Sequence, residues 1–338
     1  MSNNVENKKI VKKLFDDIRN TSVDMLDDLT GKYYADDVIW NGPQPFNTIT
    51  NRKELTEKFW KPFKEAVPDL QKNVFMHISG KNFCGKNHDW VASSGHYTGS
   101  FDNDFVDIPA TERMVWVTYI EFNRLENGKI VETFTIIDML DLIRQAGISF
   151  TDARAPEVII PGPKTNDGVI MGESDPEETK KTFQIIYDMI WKGLDSFEDV
   201  GFGNMGLEKY FAEDFNWFGP CGIGTTRGIK GFERDHQKPF LNSVPDRGMI
   251  KDEFRIEMAE GKYAALIEWT GFTATHTRDG WLGQKATGKK IIMRDADFYL
   301  IEDGRIVENW CYMDVIDVLL QMGVDVFKKL RNGDYEKK

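Results

Sequence analysis

Tyr33-Tyr-Ala-Asp-Asp37 returns later in the chain as Tyr210-Phe-Ala-Glu-Asp214, and that echo decides the fold. The same spacing carries Trp40 to Trp217, Gly42-Pro43 to Gly219-Pro220, Pro62-Phe63 to Pro239-Phe240 and Val67-Pro-Asp69 to Val244-Pro-Asp246. With one residue dropped the match continues: Ala110-Thr111 falls on Ala286-Thr287, Gly128-Lys-Ile-Val-Glu132 on Gly304-Arg-Ile-Val-Glu308, and Asp138 on Asp314. Solenoid units run to roughly 20–50 residues, far shorter than this period. The chain is therefore read as a duplicated domain.

Each copy opens with helix, around 6–30 and 177–198. Ile10, Leu14, Phe15 and Ile18, and then Phe183, Ile186, Tyr187 and Ile190, recur there at helical spacing. A short helix and a strand follow, ending in Trp-x-Gly-Pro. A second helix, near 52–67 and 229–244, is stopped by Val-Pro-Asp. Three or four long strands come next, joined by turns such as Glu126-Asn-Gly128 and Glu302-Asp-Gly304. A closing helix runs from Asp138 or Asp314 to Gly147 or Gly323. In each case an Asp stands first with another three residues on, the pattern of a helix N-cap. Helices followed by a run of strands predict an α+β fold, a curved antiparallel sheet covered by helices. The concavity between them is a common kind of ligand site. The predicted domains are 1–150 and 179–330, with 151–178, rich in Pro, Gly, Asp and Glu, as linker. A linker of that length allows the copies to pack face to face as an internal pseudo-dimer, and leaves further homo-oligomerisation open.

Composition agrees with two domains in 338 residues. A 41% hydrophobic share, with 23 Phe, 10 Tyr and 9 Trp, can fill two cores and still line a cavity. The net charge of −12 and the lack of a basic cluster argue against nucleic acid or an anionic membrane as partner. No apolar run approaches the roughly 20 residues of a membrane span. The polar start, Met1 to Ile10, lacks the apolar core of a signal peptide. Cys84, Cys221 and Cys311 are odd in number and far apart, so no disulfide framework is expected. Together these predict a reduced, cytoplasmic protein. The five histidines show no metal-ligand spacing, and no phosphate loop, dinucleotide fingerprint or nucleophile elbow is present. The expectation is a site without metal or cofactor.

Each copy resembles the SnoaL-like polyketide cyclase family, which has the cone-shaped α+β barrel of nuclear transport factor 2. The second copy carries most of the likeness: His236-Gln-Lys-Pro-Phe-Leu241 with Pro245-Asp-Arg247, Thr275-His-Thr277 with Trp281-Leu-Gly283, and Ala286-Thr-Gly-Lys289. Met293-Arg294, Glu308-Asn-Trp310 and Asp314 leading into Leu319-Leu-Gln-Met-Gly323 complete it. The resemblance implies an acid on the last long strand that moves a proton beside a carbonyl. That position is Thr135 in the first copy and Cys311 in the second, so the chain departs from the family pattern at its principal acid. A second polar group, on the preceding strand, falls on Glu121 and Asp297.

The residues of Arg294-Asp-Ala-Asp297 supply a different arrangement. The strand period of two puts Asp295 and Asp297 on one face with Met293 and Tyr299. Two carboxylates about 7 Å apart on one face repel, which raises one of them toward the range useful for acid/base chemistry. The alternative is that both face solvent and pair with Lys or Arg. Asn309 and Cys311 share a face of the next strand, and His236 sits on the roofing helix. The candidate catalytic residues are Asp297 as base, Asp295 as its partner and His236 as donor. The candidate substrate-binding residues are Trp217, Arg294, Asn309, Cys311, Tyr299, Trp40 and Glu121. The first copy, poorer in motif, is expected to pack against the second and complete its cavity edge. The predicted function is binding of a small hydrophobic or carbonyl-bearing molecule, with cofactor-independent proton transfer of the cyclase, isomerase or lyase type. Two alternatives stand beside it: a non-catalytic ligand-binding or scaffold protein, and an epoxide-hydrolase-like hydrolase using paired acids on a water.

Overall fold

The computed structural model describes residues 4–83, 88–194, 206–250 and 255–335; Cys84 lies outside them. The first copy forms a six-stranded sheet: β1 (Tyr34–Asn41), β2 (Thr48–Ile49), β3 (Gln71–Lys81), β4 (Asp89–Ser100), β5 (Met114–Glu126) and β6 (Lys129–Ile137), in the order β2-β1-β6-β5-β4-β3. The second repeats it with β7 (Phe211–Phe218), β8 (Thr225–Arg227), β9 (Gly248–Met249), β10 (Arg255–Glu260), β11 (Tyr263–Thr275), β12 (Lys290–Glu302) and β13 (Arg305–Met313). Their order is β10-β11-β12-β13-β7-β8, with the short β9 also paired to β11.

Both sheets are chiefly antiparallel, as expected, with one parallel pair in each. β1 runs parallel to β6, and β7 runs parallel to β13. The three long hairpin-linked strands must alternate in direction. The first strand of each copy is free of that constraint, because a helix separates it from them and its partner lies at the far end of the domain sequence. Neither sheet closes on itself, so each is an open, curved layer and not a complete barrel.

The opening helix Asn4–Asn20 buries Val11, Leu14, Phe15 and Ile18, the stripe expected from its spacing. It stops at Asn20, and a separate helix, Leu26–Tyr33, leads into β1. In the second copy Pro176–Asp188 passes into a π-helical turn, Met189–Leu194. The second helix of each copy also carries a π-helical turn at its middle, Thr56–Trp60 in one and Glu233–Gln237 in the other. Such bulges recur at functional sites, and the second one contains His236.

The outer faces of the two sheets pack on each other. Met76, Ile78, Ile120 and Phe122 of the first meet Ile256, Ile267, Phe298 and Trp310 of the second in one apolar cluster. The 151–178 segment lies along this seam: Trp310 Nε1 donates to Pro161 O at 2.9 Å, and His77 N donates to Gly168 O at 2.8 Å. Among the described residues no helix is long and apolar enough to cross a membrane.

Asp138 and Asp314 cap the closing helices, Met139–Gln145 and Val315–Met322, by accepting from the backbone N–H of Asp141 (3.0 Å) and Asp317 (3.1 Å). Each also reaches into the other copy. Asp138 accepts from Cys221 N at 2.9 Å, and Asp314 from Gln44 N at 3.0 Å. Gln44 and Cys221 follow the matched Gly-Pro pairs, so the exchange is reciprocal and pseudo-symmetric. Removing either carboxylate strips a cap and leaves a partly buried N–H of the other copy unpaired. Asp138→Ala and Asp314→Ala are each expected to cost about 2–3 kcal/mol in urea unfolding. A loss below about 0.5 kcal/mol, the usual effect of a surface change, would show that the exchanged bonds do not hold the copies together.

Candidate functional site

Strand β12 sets the site by its pleat. Ala296, Phe298 and Leu300 point into the apolar seam between the sheets. Met293, Asp295, Asp297 and Tyr299 therefore point the other way, where they line a cavity of about 120 Å³ under the helices. Asn309, Cys311 and Met313 of β13 continue this wall, and Leu266, Glu268 and Phe272 of β11 form its other side. The helical roof contributes Phe232, His236 and Phe240, and β7 contributes Trp217. Among the described residues all those lining the cavity belong to the second copy, and none from the first completes its edge.

Asp297 is bonded by Asn309, whose Nδ2 donates to Oδ1 at 2.9 Å. Burial pushes its carboxyl up to about 6, opposed by the hydrogen bonds from Asn309, Tyr299 and Cys311. Asp295 lies directly across from Glu268 in the β11–β12 register and is buried. Burial first, and then the charges of Glu268 and Asp297, drive it well above the usual carboxylate range. Glu268 is pushed up to about 7 by burial, against the pull of the Arg255 guanidinium with which it pairs. Arg255 also binds Glu257 at 3.1 Å, and Arg247 stacks its guanidinium 5.1 Å from the Phe272 ring. Two buried oxygens of this wall, Asp295 Oδ1 and Glu268 Oε2, have no hydrogen-bond partner among the described residues.

The His236 imidazole is stacked between aromatic rings, 4.3 Å from Trp217 and 5.9 Å from Phe240 between centroids. Burial, helped by Arg247, lowers it to about 3, so the ring is neutral at physiological pH. Its Nδ1 is buried and unbonded as well. Unbonded buried polar atoms are uncommon in folded proteins, and those of Asp295, Glu268 and His236 belong to residues lining one space.

Of the residues singled out from sequence, Asp295, Asp297, His236, Trp217, Tyr299, Asn309 and Cys311 come together around the cavity. Arg294 does not. Strand alternation turns it to the opposite face, where it binds Asp314 Oδ2 at 3.3 Å and Asn47 of the first copy at 3.2 Å, over the Trp269 ring. Trp40 is core of the first copy, packed on Phe59 at 4.8 Å. Glu121 points inward in the first copy but is occupied: it pairs with the buried Lys72 and accepts from Asn123 at 2.7 Å. Lys72 in turn lies against the rings of Phe15, Tyr119 and Tyr97, at 3.9, 4.3 and 5.0 Å. The space that is a cavity in the second copy is thus filled by a side chain in the first. Sequence reasoning missed Glu268; its signal was a lone acid in the apolar run Tyr263–Trp269.

The family model described as SnoaL-like polyketide cyclase matches residues 9–146 and 204–322. Among solved structures, TsrD from Streptomyces laurentii is 21% identical, with 42% of this chain and 96% of that one covered and a TM-score of 0.34. IdmH from Streptomyces antibioticus is 19% identical, with 42% and 99% covered and a TM-score of 0.34. An NTF2-like protein from Burkholderia xenovorans is 17% identical, with 43% and 97% covered and a TM-score of 0.33. No curated protein matches the chain.

The acidic wall makes stability fall with pH. Asp295 and Glu268 have folded-state pKa values above their unfolded ones, so their contribution is complete below about pH 4 and is lost as pH rises through the folded value. His236, with a depressed pKa, acts in the opposite sense but only below about 6.5. Above about pH 6.5 His236 no longer offsets the acids, so the wall's contribution to the thermal midpoint is expected to fall between pH 6.5 and 8, through the Glu268 value of about 7. Asp295→Asn should flatten the decline and raise stability at pH 8 by about 1–3 kcal/mol. An unchanged slope in this variant would show that Asp295 is solvated. In the first copy, Glu121→Ala leaves Lys72 buried without its anion and should cost about 3–5 kcal/mol; a cost under about 1 kcal/mol, measured by urea unfolding, would contradict the buried pair.

Proposed function

We propose, on the premise that this chain belongs to the SnoaL-like polyketide cyclase family, that its second domain moves a proton on a small, carbonyl-bearing hydrophobic molecule without a cofactor. The observation that carries this reading is that Asp297, raised to about 6, and the neutral imidazole of His236, whose buried Nδ1 has no hydrogen bond among the described residues, line one aromatic cavity. A carboxyl of that pKa is largely ionised at pH 7 and still basic enough to accept a proton from carbon. Asn309 holds it in place. As Asp297 takes the proton α to the carbonyl, the electron pair moves onto the carbonyl oxygen. The His236 N–H, in the tautomer with hydrogen on Nδ1, donates to that oxygen, and burial strengthens the bond. Asp295, whose protonated form burial and the neighbouring carboxylates favour, is the acid partner. Return of the proton to another carbon gives isomerisation; attack of the enolate on a second carbonyl closes a ring.

The family's principal acid on the last strand is Cys311 here, and burial drives its thiol well above the ordinary range, so it is no base. The carboxylates have instead collected on the neighbouring strand, β12. A hydrolase that activates water between Asp295 and Glu268 is the second reading, favoured by their unbonded oxygens.

The test is deuterium exchange of the α-protons of a ring ketone such as cyclohexanone, followed by NMR in D2O. The protein should accelerate exchange, and Asp297→Asn should reduce the acceleration by about 10²-fold or more. Exchange that survives in Asp297→Asn would remove Asp297 as base. Ketone binding with no exchange would favour the non-catalytic ligand-binding protein.

A further inference from the structure

The duplication places two versions of one site side by side, and the first is already occupied. Lys72 on β3 stands opposite Tyr97 on β4. Its ammonium bonds the Glu121 carboxylate and is enclosed by the rings of Phe15, Tyr97 and Tyr119. In the second copy Asp297 holds the position of Glu121: each is paired across its hairpin with the matched residue, Thr135 or Cys311. Phe272 likewise holds the position of Tyr97, each paired to a matched residue, Met293 or Val117. The residue opposite Phe272, where the first copy has its lysine, is Met249, which has no charge to offer.

Among the described residues the second copy has thus lost the lysine at this register position and kept the acid and one of the three rings around it. It has also gained acids. Asp295 stands where the first copy has Tyr119, and Glu268 where it has Gly95. Glu268 is answered by Arg255, which is shared with Glu257, while Arg247 is the basic residue of the cavity wall. Among the described residues no basic side chain is bonded to Asp295, and its buried Oδ1 has no partner there. Against two arginines the wall and its backing set four acids, Asp295, Asp297, Glu268 and Glu257. Among the described residues no group of three acid, His or Cys side chains is arranged to hold a metal ion. The remaining lining is largely aromatic, and aromatic faces attract organic ammonium groups.

We infer that the second-domain cavity recognises a ligand bearing a protonated amine on a ring-sized apolar body, its ammonium taking the place that the Lys72 side chain fills in the first domain. The inference rests on the reading that this cavity is a ligand site, and names what the ligand carries. The ammonium supplies the missing donors to Asp295 and Glu268, and Trp217, Phe240 and Phe272 enclose the body. A cavity of about 120 Å³ suits one ring, since an apolar cavity of roughly 150 Å³ holds benzene.

Three probes of one size separate the alternatives by calorimetry on the full chain: benzylamine, benzyl alcohol and benzoate. At pH 8 benzylamine should bind at least about tenfold more tightly than benzyl alcohol, and benzoate should not bind measurably. Benzylamine binding should tighten from pH 6 to pH 8 as the wall ionises. Asp295→Asn should erase the preference for the amine while leaving benzyl alcohol within about twofold. Equal or tighter binding of benzyl alcohol would overturn the ammonium inference and leave the ligand pocket and the Asp297 exchange reaction standing. Failure of all three probes to bind would overturn the inference together with the ligand site. An amine preference unchanged in both Asp295→Asn and Glu268→Gln would overturn the assignment of the cation to this wall.

Discussion

Strand β12 cannot turn over. Ala296, Phe298 and Leu300 are buried in the seam between the two sheets, and a one-residue slip would drive Asp295 and Asp297 into it. Burying unpaired carboxylates there would cost far more than the cavity does, because no water and no cation would meet them. The packing of one sheet on the other therefore aims the acids inward. The site is a consequence of the interface on its opposite face, and the reciprocal bonds from Gln44 N to Asp314 and from Cys221 N to Asp138 hold that interface in register.

The same scaffold has two fillings. In the first copy Lys72 and Glu121 neutralise each other inside a box of rings. In the second the carboxylate stays as Asp297, two further acids, Asp295 and Glu268, join it, and the lysine is gone. Each of those acids carries a cost in the empty protein, seen as carboxyls pushed toward or above neutrality. Folded proteins keep such strained polar groups where a ligand or a reaction uses them.

Much of this was legible in the residues. The repeated Trp-x-Gly-Pro, Val-Pro-Asp and Gly-x-Ile-Val-Glu marks fall at strand ends, helix stops and hairpin turns, which local chemistry dictates. The period of two placed Asp295, Asp297 and Tyr299 on one face. It also argued against Arg294, which the structure turns to the far side of the strand. Trp40 and Trp217 look alike in sequence, yet one is packed in a core and the other lines the cavity. Glu268 was hidden because its partner across the sheet, Asp295, is distant in sequence. The parallel pairing of β1 with β6 was hidden for the same reason, since no turn joins the two strands.

Sequence by itself determined the duplication, the α+β class, the strand faces and the capping aspartates, because each follows from spacing within a few residues or from the internal match. Only the tertiary structure decided which copy keeps an open cavity, which charges meet inside it and which lack a partner. Those properties depend on contacts between residues far apart along the chain. A lysine on one strand fills the first site, and an uncharged residue at the matching place brings no cation to the second.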